Sequence, residues 1–125
     1  MKQARVDLLQ SMPVFGGVSK ETLEFLIDHS SIECLPPGEC FFREGDDAVS
    51  MFVLERGKVA VYKQWNGEDH LLKHLSQGDC FGEMALLDLY PRSASVMAIE
   101  PSDAIELHSS ILLKLYQRDL EQFTI

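Results

Sequence analysis

The spacing of apolar residues along the chain changes period twice. From Ala4 to Met12, and again from Ser19 to Ser30, apolar positions recur every third or fourth residue, which predicts two short helices broken by Pro13 and the Gly16-Gly17 pair. In the second, Ser19 is placed as an N-cap, Glu21 sits in the first turn where the helix dipole favours an acid, and Leu23, Leu26 and Ile27 share one face. From Ile32 to His108 the runs shorten to "MFVLE", "KVAVYK", "HLLKHL", "SASVMAI" and "AIELH", rich in β-branched and large apolar residues, which is strand sequence. Turn residues punctuate them at intervals of about ten: Pro36-Pro37-Gly38, Gly45-Asp46-Asp47, Gly57, Asn66-Gly67 and Gly78-Asp79, the rhythm of an all-β sandwich or barrel. Asn66-Gly67 predicts a two-residue hairpin, because a type I′ turn needs positive φ at both central positions. From Ser109, a candidate cap, Leu113, Tyr116, Leu120 and Phe123 return to helical steps. That stripe is still in phase near Ile125, so it leaves open whether the last turn frays or the natural chain is longer. Met1 favours a natural start.

Composition sharpens this picture in a few places. The chain has 125 residues, enough for one hydrophobic core, and its 46% hydrophobic and 25% charged residues are those of a globular domain. One domain is expected over 1–125, with N-terminal helices in 1–30, a β-roll in 31–108 and a C-terminal helix in 109–125. The formal charge of −9 argues against the broad basic face that duplex nucleic acid or anionic lipid would need. No stretch approaches the roughly 18 apolar residues of a membrane span, and "MKQARVDLLQ" carries an aspartate where a signal peptide needs an apolar run. A cytoplasmic protein without membrane contact is therefore expected. Cys34, Cys40 and Cys80 are widely spaced with no C-x-x-C pair, and His29, His70, His74 and His108 are scattered, so free thiols and no metal site are expected. The absence of G-x-S-x-G, H-E-x-x-H and P-loop patterns argues against an enzyme.

One passage, "FGEMALLDLYPRSASV", carries more specific chemistry. It lies between the strand sequences "GDCF" and "SASVMAI", so "GEMALLD" is expected as a single helical insertion within the roll. The first turn of a helix leaves backbone N–H groups unpartnered and makes a small anion site. Gly82 lets another group approach the backbone, and Pro91 delivers Arg92, whose guanidinium fork can give two charge-assisted bonds to one phosphate. Glu83 would repel a phosphate, but an ionised carboxylate accepts well from a sugar hydroxyl. A ribose phosphate satisfies both residues, and Ser93 adds a hydroxyl and an N–H beside Arg92. The alternative is structural: Glu83 capping its own helix and pairing with Arg92 as an ordinary ion pair.

These residues resemble the cyclic nucleotide-binding domain of the catabolite activator (Crp/Fnr) regulators, protein kinase regulatory subunits and cyclic nucleotide-gated channels. "PVFGGVSKETLEFL" is similar to that family's leading helices, "PPGECFFREGDDAVSMFVLERGKVAVYK" to its glycine-marked first half, and "GDCFGEMALLDLYPRSASV" to its phosphate-binding cassette. The resemblance implies a mainly β fold with flanking helices, a double-stranded β-helix or jelly roll with a short phosphate-binding helix inside it. It implies that Glu83 binds the ribose 2′-hydroxyl, that Arg92 binds the cyclic phosphate, and that backbone amides of Gly82, Met84 and Ala85 complete the phosphate cradle with help from Ser93. Val61, Leu71 and Leu72 are expected to wall the base. Ser93 and Ser95 stand where kinase-type cassettes often have Ala and Thr, which leaves adenine against guanine open. The implied function is a sensor that binds cyclic AMP, in preference to cyclic GMP, and couples binding to the C-terminal helix, with no other cofactor. No helix-turn-helix follows the roll, so direct nucleic acid binding is not expected. A homodimer through the C-terminal helix, or a downstream effector domain, are the expected protein partners. The competing expectation is an interaction or dimerisation module that keeps the roll without the nucleotide response.

Overall fold

The computed structural model describes residues 2–12, 15, 17–82 and 91–118. Helix α1 spans Lys2–Gln10 and α2 spans Lys20–Asp28. As predicted, Ser19 caps α2: its backbone is extended at φ −66° and ψ 154°, and its Oγ accepts from the Thr22 N–H at 3.2 Å. Among the described residues eight strands follow: β1 Ser31–Leu35, β2 Cys40–Phe42, β3 Ser50–Arg56, β4 Lys58–Trp65, β5 Glu68–Ser76, β6 Cys80–Phe81, β7 Ser95–Ala98 and β8 Ser102–His108. Helix α3, Ser109–Arg118, continues directly from β8. The strands form two four-stranded antiparallel sheets, ordered β1-β8-β3-β6 and β2-β7-β4-β5, the expected jelly roll with flanking helices. Between β4 and β5, Asn66 at φ 54° and Gly67 at φ 78° make the predicted two-residue turn, flanked by the pair Trp65↔Glu68.

Strand β3 explains how the layers are held. Successive side chains of a strand point to opposite faces. Met51 and Val53 face outward with Ile105 and Leu107 of β8, and there they meet Val6 and Leu9 of α1 and Leu23 and Leu26 of α2. Phe52 and Leu54 face inward with Val59, Val61, Phe81, Val96 and Ala104. Two apolar clusters therefore share β3 as a common wall, which is why its sequence reads as a continuous apolar run rather than an alternation.

The C-terminal helix turns Leu113 of the apolar stripe away from the roll. Ile111 and Leu112, rather than Leu113, pack against the helix-side cluster, while Leu113 is 57% exposed. Leu120 and Phe123 lie outside the described residues, as does the side chain of Tyr116. The cause lies at the junction with β8: Ser109 N–H donates to the Val49 carbonyl at 2.8 Å, which fixes how the first turn leaves the sheet. The side chain that caps this turn belongs to His108, whose Nδ1 accepts from the Ser110 N–H at 3.4 Å, and not to Ser109.

Candidate functional site

Arg92 lies just before β7, with both its backbone N–H and its carbonyl bonded to the loop between β2 and β3. Its N–H donates to the Asp46 carbonyl and its own carbonyl accepts from Gly45 N–H, each at 2.8 Å. The side chain turns inward and is buried to 4% exposure. There Nη1 donates to the Gly82 carbonyl at 2.7 Å, Nη2 donates to the Ser50 carbonyl at 2.6 Å, and Cζ stands 4.1 Å from the centre of the Phe42 ring. Burying a guanidinium is costly unless its donors are satisfied, and two carbonyls and a ring face supply part of that compensation.

Gly82 is fitted to the same group. Its φ of +87° is a conformation that L side chains rarely adopt, and a Cβ there would stand 2.6 Å from Arg92 Nη1 and 3.2 Å from Phe42 Cε2. The close approach that Gly82 permits is thus made by the arginine itself.

A cavity of about 230 Å³ opens beside this pair. Of the residues expected from the sequence, Gly82, Arg92, Ser93, Val61 and Leu72 all line it. Leu71, also expected at the base, is not among the residues that line it. It pairs across the ladder with Tyr62, whose side chain lines a separate trough on the outer face of the sheet, and Leu71 itself is 51% exposed. Two consecutive strand residues cannot both face inward in a regular ladder. The register slips between Val61↔Lys73 and Tyr62↔Leu71, which leaves Leu72 as the extra residue of a bulge and lets it reach the cavity together with Lys73. Glu83, Met84 and Ala85 lie outside the described residues.

Sequence reasoning missed Lys73, Phe42, and the carbonyls of Ser50 and Gly82. Lys73 could be found only by locating the bulge, for which the sequence has no marker. Phe42 lies in the short strand "CFF", where neither ring is distinguished by spacing. Lys73 and Arg92 make the described lining of this cavity cationic, with no acid among its described residues, although the chain carries a formal charge of −9. Such a lining suits a small anion with an apolar portion, since Val61, Leu75, Phe81 and Val96 complete the walls. Among the described residues no group of three or more His, Cys, Asp or Glu side chains could hold a metal ion. Among the same residues no helix is long and apolar enough to cross a membrane.

Comparison with known proteins identifies the family. The cyclic nucleotide-binding domain family matches residues 32–119. The cyclic AMP receptor protein of Thermus thermophilus is 30% identical over 111 residues, covering 88% of this chain and 51% of that protein. The human cGMP-dependent protein kinase 2 is 33% identical over 96 residues, covering 75% of this chain and 13% of the kinase. Among solved structures, the sensor domain of the transcriptional regulator DNR from Pseudomonas aeruginosa superposes with a TM-score of 0.85 at 26% identity, over 98% of this chain and 84% of that one. The regulatory domain of Toxoplasma gondii PKA, crystallised with cAMP, gives a TM-score of 0.86 at 27% identity over 91% of this chain and 44% of that one. The chain spans about half the length of the Thermus receptor and a small fraction of the kinase.

Proposed function

The chain belongs to the cyclic nucleotide-binding domain family, and from that premise we propose that it is a regulatory sensor that binds a cyclic nucleotide, cyclic AMP in preference to cyclic GMP. The observation that carries this reading is the convergence of Gly82, Arg92, Ser93, Val61 and Leu72 on one cavity from four separate stretches of sequence. In it, Arg92 takes the cyclic phosphate with its fork and Ser93 assists. Glu83 accepts from the ribose 2′-hydroxyl, the amides of Gly82, Met84 and Ala85 line the phosphate, and Val61 and Leu72 flank the base. At about 230 Å³ the cavity is smaller than the roughly 300–1,000 Å³ of sites that engulf drug-sized ligands, which suits a buried sugar phosphate with the base toward the rim at Leu72. The preference for cyclic AMP is supported by the similarity to the Thermus cyclic AMP receptor protein, which covers more of this chain than the similarity to the cGMP-dependent kinase does. The role is regulatory rather than catalytic and cytoplasmic, and binding is coupled to α3.

A second reading has one observation in its favour. Arg92 already serves the fold by bonding the Gly82 and Ser50 carbonyls, as it would in a module that holds the roll together and answers to no nucleotide. Calorimetric titration with cyclic AMP and cyclic GMP separates the two. Binding of cyclic AMP is expected, and Arg92→Lys should weaken it by about tenfold or more, because a charge-assisted bond contributes about 1.5–3 kcal/mol and lysine cannot fork. Absence of heat and of thermal stabilisation with either nucleotide at millimolar concentration would leave the interaction module as the surviving reading.

A further inference from the structure

The β4–β7 ladder ends too early to hold the segment that carries Arg92. Its last pair is Tyr62↔Ser95, yet β4 runs on to Trp65, paired on its other side with β5. Beyond Tyr62, side chains take over the work of the missing strand. Lys63 Nζ reaches across and donates to the Ser93 carbonyl at 2.8 Å. The Gln64 N–H, with no β7 residue opposite it, donates to Glu44 Oε1 at 2.9 Å. Glu44 also approaches Lys63 Nζ, at 3.5 Å, while its own N–H donates to Ser95 Oγ at 2.9 Å. Three segments, the β2–β3 loop, the end of β4 and the chain from Arg92 to Ser95, thus meet at one ion pair.

We propose that Glu44 and Lys63 are positioning residues for Arg92: they extend the β4–β7 ladder by side chains and hold the Arg92–Ser93 backbone at the angle that sends the guanidinium into the cavity. The loop bonds at Asp46 and Gly45 fix that backbone from one side only. Lys63 fixes it from the other, one residue past the arginine. The consequence for nucleotide affinity rests on the reading of the cavity given above; the consequence for backbone order does not. The Glu44 carboxyl is held below its ordinary range first by the Gln64 N–H and then by the Lys63 ammonium, which agrees with a carboxylate engaged at this joint.

The test uses Lys63→Met, Lys63→Arg and Glu44→Gln in the full chain, with two readouts. The first is amide hydrogen exchange at Gly45 and Arg92, referenced to Leu54, whose N–H is bonded to Asp79 across the roll. The second is the dissociation constant for cyclic AMP by calorimetry. Lys63→Met is expected to speed exchange at Gly45 and Arg92 by about tenfold while Leu54 is unchanged, and to weaken cyclic AMP about fivefold, as for loss of a partly exposed charged hydrogen bond. Lys63→Arg should restore both, and Glu44→Gln should fall between. Exchange at Gly45 and Arg92 unaltered by Lys63→Met would overturn the proposal, even with weakened binding, since Lys63 would then act by charge alone. Failure of Lys63→Arg to restore the exchange would overturn it too. Accelerated exchange in a protein whose wild type binds neither nucleotide would uphold the positioning role and remove the nucleotide reading instead.

Discussion

Gly82 and Arg92 behave as one unit, because the space a Cβ would take at Gly82 is where Arg92 Nη1 lies, 2.6 Å away. Gly82→Ala therefore adds two costs: backbone strain at φ +87°, about 1–3 kcal/mol for a non-glycine residue there, and displacement of the guanidinium. Gly67 offers a matched control, since its φ is +78° but a Cβ there meets nothing within 4 Å. Both Ala variants should lower the urea midpoint, Gly82→Ala by more, and only Gly82→Ala should weaken cyclic AMP. Equal affinity in the two variants would mean that the placement of Arg92 does not depend on Gly82. At this scale the sequence made the chemistry legible but not the contacts. Arginine, glycine and serine in "FGEMALLDLYPRSASV" pointed to an anion site by residue type and order, an expectation the nucleotide titration tests. What Arg92 touches, the carbonyls of Ser50 and Gly82, has no signature in side-chain identity, because every residue carries a carbonyl.

Strand β3 separates two apolar clusters, so substitutions on its two sides should have different consequences. Leu9 of α1 is fully buried in the helix-side cluster, and Leu9→Ala should cost about 2–5 kcal/mol while leaving nucleotide affinity unaltered. Val96 of β7 belongs to the inner cluster and also lines the cavity; Val96→Ala should cost about 2 kcal/mol and weaken the nucleotide as well. Urea unfolding paired with calorimetry reads both, and a loss of affinity in Leu9→Ala would show that the two clusters are not independent. A pH effect belongs to the same scale. Glu44 faces Lys63 and the Gln64 N–H, with Arg43 beside it and Asp69 of β5 on the same outer trough. Its folded pKa is lowered from 4.5, so the stability it contributes is present above that value and lost as pH falls through the folded pKa. Wild type should exceed Glu44→Gln in melting temperature at neutral pH, and the difference should vanish once falling pH has protonated the carboxyl in the folded state. A difference that persists there would assign the effect to shape rather than charge. Elements with local determinants were legible: the Asn66-Gly67 turn and the Ser19 cap both stand where spacing put them. The bulge at Leu72 and the rotation of α3 were not, because each is set by a partner distant in sequence, Val61 in one case and Val49 in the other.

Across the whole molecule, the question is how a ligand at Arg92 could be felt at α3, and two adjacent carbonyls offer a route. The Ser50 carbonyl accepts from Arg92 Nη2, and the Val49 carbonyl accepts from Ser109 N–H at the start of α3. Ser50 also pairs with His108, the last residue before that helix, and its Oγ donates to Glu106 Oε2 at 2.7 Å, so the beginning of β3 and the end of β8 are tied as one block. A phosphate that draws the guanidinium must share or replace the bond to the Ser50 carbonyl, which changes the anchor of this block. A ligand can shift a conformational equilibrium only by its differential affinity for the two states, and on the proposed reading the Arg92–Ser50 bond is the contact that a bound phosphate would alter. Saturating cyclic AMP is therefore expected to change amide exchange at Ser109 and along 110–118 by about fivefold, leaving Cys34 on β1 unaltered. Ser50→Ala keeps the carbonyl but removes the bond to Glu106, so the nucleotide should still bind while the response at Ser109 shrinks. Identical protection of 109–118 with and without bound nucleotide would break this route, and an undiminished response in Ser50→Ala would show that the signal bypasses the β3–β8 block.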